Sequence, residues 1–163
     1  MRSTDHPASD AGQLCRAEFA GPLREKDQIQ IASGAFYLCQ HSRLHATYPA
    51  EMVDRRIGPS LELGQFRYYT DSDGVPLAFC NWVWLSTPVL EDVLTTCRDL
   101  EPDEFNCGDL PFFYEFLAPF GHCRAVVRDL RGLPIFSGKR VPAIRARVTD
   151  QSTYDAQARY FAM

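Results

Sequence analysis

A turn between two aromatic runs constrains the fold of this chain more than any other feature. Residues 71–74 read Asp-Ser-Asp-Gly, a sequence typical of tight turns. The preceding run, 61–70, alternates apolar and polar residues, and the following run, 75–85, is apolar and aromatic. Two such runs joined by a short turn predict a β-hairpin. We therefore expect an antiparallel sheet at the centre of the fold.

The remaining apolar patterns predict helices around this hairpin, together with two more strands. Ser86-Thr87-Pro88 supplies a hydroxyl cap and a first-turn proline, and Gly58-Pro59 predicts the end of an earlier helix. The helices are expected at residues 13–19, 28–44, 49–59, 86–94 and 124–130, and the strands at 112–118 and 135–147. This order predicts an α/β (α+β) fold in which helices flank a mostly antiparallel sheet.

The length of 163 residues and the apolar content of 45% fit a single domain with its own core. Residues 1–28 are expected to be a flexible N-terminal extension, 29–150 the folded domain and 151–163 a C-terminal tail. The N-terminus lacks the apolar centre of a signal peptide, and no apolar run is long enough to span a membrane. We expect a cytoplasmic protein without an integral membrane segment.

The six cysteines are expected to be reduced in that compartment. No pair of them has Cys-x-x-Cys spacing, so we expect no metal site.

Charge is unevenly distributed along the chain. The net charge of -4 argues against nucleic acid as a partner. Residues 91–115 hold eight acids and one base, whereas 122–147 hold six arginines, one lysine and one acid. Two solvated faces of opposite sign would explain this pattern. The pattern also suits an enzyme with two substrates. The basic segment relies on arginine, whose planar guanidinium group matches phosphate and carboxylate groups.

Several short motifs occur in the same order as in one known family. They are Ser42-Arg43-Leu44-His45, Gly58-Pro59, Gly64-Gln65-Phe66, Pro76-Leu77-Ala78, Cys80-Asn81-Trp82, Gly108-Asp109, Phe112-Phe113-Tyr114-Glu115-Phe116, Ala118-Pro119-Phe120-Gly121 and Ala143-Ile144-Arg145. As an ordered set, covering residues 33–150, they resemble the RTX toxin-activating lysine acyltransferases of the hemolysin-activating type. No single motif is specific by itself.

The resemblance implies an acetyltransferase-like (GNAT-like) fold. It also implies an enzyme that moves a fatty acyl group from acyl carrier protein to lysine side chains of a protein toxin or a precursor peptide. No bound cofactor is implied, because the carrier protein delivers the acyl group. A homodimer is compatible with this interpretation.

His45 occupies the position of the family's catalytic histidine. Acylating a lysine requires removal of a proton from an ammonium group with an ordinary pKa of about 10.4, and a neutral imidazole is a suitable acceptor. Glu115 stands where the family has aspartate and would orient the imidazole. Because it lies in an aromatic run, its carboxylate would be costly unless paired. Strand alternation predicts that Glu115 and Phe113 share one face.

Other polar residues are supporting candidates. Ser42 could donate a hydrogen bond to the acyl carbonyl, or it could cap the local backbone. Direct attack by the lysine amine and an acyl intermediate on Ser42 or His45 both stay open. Asp109 is the reserve carboxylate, with a plain turn residue as the alternative. Asn81 replaces a serine of the family motif.

The sequence has no glycine-rich loop of the kind that cradles the pyrophosphate of coenzyme A, which favours a carrier-protein donor. Carrier proteins are acidic, so we expect a basic docking surface. The candidates for it are Arg124, Arg128, Arg140 and Arg145. Two alternatives remain: a catalytically impaired module that binds acyl carriers or lipids, which the change from aspartate to Glu115 would favour, and a coenzyme A-dependent acetyltransferase.

Overall fold

A computed structural model describes residues 13–19, 21–148 and 154–163, so the expectation for residues 1–12 lies outside the described part of the chain. Within these residues a six-stranded sheet is flanked by four α-helices. The strands are β1 (Cys15–Arg16), β2 (Phe66–Thr70), β3 (Pro76–Leu85), β4 (Leu110–Leu117), β5 (Arg140–Val148) and β6 (Tyr154–Ala162). The helices are α1 (Glu25–Gln40), α2 (Ala50–Glu62), α3 (Thr87–Thr96) and α4 (Cys123–Arg131).

The six strands lie side by side in sequence order, and every neighbouring pair is antiparallel except β4 and β5. This confirms the α+β fold with a mostly antiparallel sheet. The turn at 71–74 joins β2 to β3 as predicted, and Gly74 has a φ of 84° there, which suits a residue without a Cβ. The parallel strands β4 and β5 pair at one position, Phe113 with Ala143. Beyond that pair the two strands diverge.

Three helices cover one face of the sheet and the fourth covers the other. α1 and α2 pack on Phe79 of β3, for example through Ile57. α3 packs on the same face through Val93. α4 packs on the opposite face, where Val126 joins the core around Trp82. We call these two sides of the sheet the α1–α3 face and the α4 face.

Three local expectations are wrong. Residues 13–19 contain strand β1, which pairs with β2, and no helix. α2 continues through Pro59, where we expected its end, because Leu61 is buried in the core beyond it. β5 begins at Arg140, later than expected, because a 3-10 turn, Pro134–Phe136, precedes it.

Two strands lie in ranges that the sequence assigns to flanking segments. β1 falls within residues 1–28 and β6 within 151–163, and each pairs with a strand that lies in 29–150. The sheet therefore draws on all three ranges. The division of the chain at residues 29 and 150 stays a prediction.

No helix in the described part of the chain is long and apolar enough to cross a bilayer. The six cysteines are free thiols. Over the same residues, no group of three or more histidine, cysteine, aspartate or glutamate side chains could hold a metal ion.

Candidate active site

The loop between α1 and α2 delivers His45 to the sheet. A 3-10 turn, His45–Thr47, follows α1, and the backbone N–H of Ala46 donates to the carbonyl of Ser42 at 2.8 Å. The His45 residue is only 9% exposed. The ring of Tyr48 meets the imidazole edge-on, with 5.1 Å between the ring centroids. Packing and the tight turn therefore hold the imidazole in one orientation.

Both ring nitrogens of His45 have side-chain partners. Nε2 lies 3.1 Å from Oε2 of Glu115, and Nδ1 lies 2.6 Å from Oγ of Ser42. An ionised carboxylate only accepts hydrogen bonds, so Nε2 carries the ring hydrogen and its N–H donates a hydrogen bond to Glu115. Nδ1 then has the lone pair and accepts from the Ser42 hydroxyl. The three side chains form a serine–histidine–carboxylate array, an arrangement suited to proton transfer at the serine oxygen.

A β-bulge turns the Glu115 carboxylate towards the histidine. In the pair of β3 with β4, Asn81 lies opposite Glu115 but the next residue, Trp82, lies opposite Phe113. Tyr114 is therefore an extra residue in β4. Because of the bulge, Tyr114 and Glu115 both point to the α1–α3 face, whereas Phe113 packs on the α4 face. The expectation that Glu115 and Phe113 share a face is wrong for this reason.

Arg56 on α2 is a partner of Glu115 that we did not identify from the sequence. Its Nε donates to Oε1 of Glu115 and its Nη1 to Oδ1 of Asp99. Its guanidinium carbon lies 4.2 Å from the ring centroid of Tyr114, and its side chain is 15% exposed. Arg56 follows the buried Val53 by three residues, so helical spacing places it beside the buried stripe of α2. That spacing is the signal by which the sequence could have revealed it.

Asn81 forms hydrogen bonds with both the bulge in β4 and helix α2. Its Oδ1 accepts from the backbone N–H of Glu115 at 2.7 Å. Its Nδ2 donates to the carbonyl of Arg56 at 2.9 Å and to Oγ of Ser60 at 3.0 Å. Because one buried amide binds both backbones, it fixes the separation between the strand that carries the carboxylate and the helix that carries the cation.

Glu115 is ionised although the residue is only 5% exposed. Burial raises the pKa of its carboxyl group, but the charge of Arg56 and the hydrogen bonds from His45 and Arg56 outweigh burial. The net effect is a pKa below the ordinary value.

A cleft of about 870 Å³ opens beside this array, where β4 and β5 diverge. His45, Arg56 and Glu115 line it on the α1–α3 face. Phe116 and Phe161 line it on the α4 face, where their rings stack with centroids 6.3 Å apart. The residues that line the cleft thus come from both faces of the sheet.

Asp109, the reserve carboxylate, lies apart from this cleft. It is exposed just before β4 and is not among the residues that line the cleft walls. Its neighbour Gly108 approaches β3 so closely that a Cβ there would lie 2.3 Å from the carbonyl oxygen of Leu85. The surroundings of Asp109 are those of a turn residue.

The four arginines proposed for carrier docking separate into two groups. Arg124 and Arg128 are exposed on α4, and Arg145 lies on the α4 face of β5, where it lines the cleft. Arg140 points to the other face of β5, and its guanidinium carbon lies 5.1 Å from the ring centroid of Tyr160. Three of the four arginines therefore lie on one side of the sheet.

The sequence matches the model of the RTX toxin acyltransferase family over residues 24–159. The lysine-acyltransferase RtxC of Vibrio cholerae is 40% identical over 126 residues, which cover 76% of this chain and 82% of the relative. The leukotoxin-activating lysine-acyltransferase LktC of a Pasteurella haemolytica-like species is 30% identical over 62% of this chain and 61% of its own length. The protein-lysine myristoyltransferase RtxC of Kingella kingae is 28% identical over 73% of this chain and 70% of its own length. The protein is an acyltransferase and belongs to the RTX toxin acyltransferase family.

Proposed function

We propose that this protein transfers a fatty acyl group from acyl carrier protein to lysine side chains of an RTX-type protoxin or a precursor peptide. The observation that carries the proposal is the array of Ser42, His45 and Glu115 in the wall of the cleft. The names of the relatives support lysine as the acceptor and, in one case, myristate as the acyl group.

The array would act as the base for the lysine amine. The lone pair of His45 Nδ1 faces the Ser42 hydroxyl, so a proton from the ammonium group passes through Ser42 to His45. The free amine attacks the thioester carbonyl, the C–N bond forms and the C–S bond breaks. A second proton from the nitrogen goes to the departing thiolate. Glu115 stabilises the imidazolium until its proton returns to water.

A covalent route through Ser42 would use the same contacts. The serine oxygen would attack the thioester, and the amine would then attack the acyl-serine. The route proposed above, a proton relay through Ser42 with direct attack by the amine, needs only one acyl transfer. Mass spectrometry of the enzyme with donor alone separates the two routes, because the relay leaves the mass of the enzyme unchanged and the covalent route adds one acyl group.

The intact array argues against the alternative of an impaired binding module. Glu115 is one methylene longer than the family's aspartate, yet it reaches His45 and is held by Arg56. The α4 side of the sheet carries Arg124, Arg128 and Arg145, which suit the acidic surface of a carrier protein.

The test compares two histidines four residues apart. His45→Ala should lower the rate of lysine acylation by roughly 100- to 10,000-fold, the usual contribution of a general base. The matched control is His41→Ala, because His41 is exposed and does not line the cleft. It should keep nearly normal activity. The gain in lysine mass after incubation with acyl carrier protein and acceptor reports the rate, and circular dichroism checks the fold. Near-normal acylation by a folded His45→Ala variant would show that His45 is not the base.

A further inference from the structure

Two arginines on neighbouring strands face the same side of the cleft. In the antiparallel pair of β5 and β6, Arg145 lies opposite Gln157, and Arg159 lies opposite Ala143. The two arginines are therefore diagonal neighbours on one face of the ribbon, a separation that long side chains can bridge. Val141 shares this face and packs in the core under α4. Both arginines are exposed and line the cleft on the α4 face.

In the described part of the chain, these arginines differ from the arginines of the opposite wall in having no carboxylate partner. Arg56 and Arg98 also line the cleft, and each binds carboxylates of neighbouring residues. Among the described residues, no carboxylate oxygen lies within 4.0 Å of Arg145 or Arg159.

The groups nearest to these guanidinium groups on their own face do not supply that counter-ion. The contact of Arg159 on this face is with the neutral Gln157, at 3.4 Å. Asp155 lies opposite Arg147 and is the other diagonal neighbour of Arg145, but it accepts from Gln157 at 3.3 Å and lies outside ion-pair distance of Arg145. Two positive charges held close together on one face of the ribbon repel each other. An anion that binds both Arg145 and Arg159 would relieve that repulsion.

We propose that Arg145 and Arg159 bind the phosphate ester of the donor's phosphopantetheine arm. The inference rests on the proposed function, because it takes acyl carrier protein as the donor. In this inference Arg145 binds the phosphate inside the cleft and not the surface of the carrier protein. Arg124 and Arg128 on α4 then remain for docking the acidic surface of the carrier. Two guanidinium forks can supply several charge-assisted hydrogen bonds to one phosphate group.

The arginine pair and the array around His45 lie where the two ends of such an arm would bind. Arg145 and Arg159 lie on the α4 face, and the array around His45 lies on the α1–α3 face. An arm that enters on the α4 side would leave its phosphate with the arginines and carry its thioester through the gap between β4 and β5. The stacked rings of Phe116 and Phe161 line the α4 part of this route and suit the uncharged stretch of the arm.

The experiment measures binding of two compounds that differ only in the phosphate. Calorimetry with 4′-phosphopantetheine and with pantetheine should give an affinity ratio of about 10 or more in the wild type, the usual effect of hydrogen bonds to a charged group. The ratio should fall to about 1 in the Arg145→Ala/Arg159→Ala double variant. The matched control is Arg147→Ala, since Arg147 is an exposed arginine of β5 that does not line the cleft. It should keep the wild-type ratio.

Three results would overturn the inference. They are equal affinities for both compounds in the wild type, an unchanged ratio in the double variant, and inorganic phosphate that binds as tightly as 4′-phosphopantetheine. The measurement needs neither acceptor nor acyl transfer. A failure of the phosphate site can therefore be told apart from a failure of the acylation mechanism, which the His45→Ala assay reports.

Discussion

Replacing Arg56 with glutamine should leave a buried carboxylate without its cation. In the protein, Oε1 of Glu115 accepts from Arg56, and Oε2 lies beside Nε2 of His45. The substitution removes the positive charge, while Glu115 stays in a site where it is only 5% exposed. Asp99 loses the same partner, but its side chain is 33% exposed, so water can replace the lost hydrogen bond.

The expected loss of stability is large and depends on pH. Removing one partner of a buried ion pair costs about 3–5 kcal/mol. In the wild type, the lowered pKa of Glu115 means that its ionised form stabilises the fold above the ordinary pKa of 4.5, and that contribution is lost as the pH falls through the folded value.

In Arg56→Gln the effect of burial should win and raise the pKa of Glu115 above 4.5. The variant should then lose stability as the pH rises from about 5 towards 8, by up to about 1.4 kcal/mol per pH unit.

Urea denaturation at pH 5.5, 7 and 8, followed by tryptophan fluorescence, measures both effects. The matched control is Arg55→Gln, because Arg55 is the adjacent residue on α2 and pairs with Glu101 while their side chains are 44% and 61% exposed. An exposed pair of this kind contributes less than about 1 kcal/mol. If Arg56→Gln unfolds at pH 7 with the same free energy as Arg55→Gln, or if its loss does not grow with pH, the argument about the buried carboxylate is wrong.

Three further outcomes are expected. Glu115→Gln should lose most lysine acylation because a neutral amide cannot stabilise an imidazolium, whereas Glu115→Asp keeps the charge and should retain more; lysine mass gain compares them. Arg124→Glu/Arg128→Glu should raise the apparent Michaelis constant for acyl carrier protein more than that for the acceptor. Added salt should do the same to the wild type, since exposed charges are screened over about 8 Å, and equal rises for both substrates would contradict a docking role. Gly34→Ala should destabilise the protein by about 1–3 kcal/mol, because its Cβ would lie 2.0 Å from the hydroxyl of a buried tyrosine on β2. Gly58→Ala, with its nearest contact at 3.4 Å, should be neutral or slightly stabilising in thermal unfolding.

Local signals explain which parts of the fold the sequence predicts well. The turn at 71–74 and the proline in the first turn of α3 each act within a few residues, so the β2–β3 hairpin and the start of α3 follow from short segments. Ser86 is the N-cap residue of α3, but its hydroxyl makes no capping hydrogen bond. β6 has only a weak signal. Residues 155–160 alternate polar and apolar, but two of the three apolar positions are alanine, which is depleted in strands, and all six residues are exposed. That segment becomes a strand by pairing along its whole length with β5.

The site was harder to predict because its geometry depends on contacts between distant segments. The family motifs identified His45 and Glu115, whose side chains meet at 3.1 Å. The bulge that aims Glu115 arises from the register of β3 against β4, which alternation within one strand does not encode. Helical spacing places Arg56, but not Arg55, beside the buried stripe of α2, yet that spacing does not show which carboxylate Arg56 binds.

The charges around His45 explain why a buried arginine belongs in a site for a lysine amine. Glu115 and Asp99 carry two negative charges and Arg56 one positive charge, so the cluster has a net charge of -1 with an unprotonated imidazole. A lysine ammonium that enters the cleft therefore meets a single opposite charge. In the proposed mechanism its proton moves to His45. The cluster and the amine then both become neutral, and neither is left with an uncompensated charge in a poorly solvated site. Without Arg56, burial would raise the pKa of Glu115 and favour its neutral form. A neutral carboxyl group would no longer balance the charge of an imidazolium on His45.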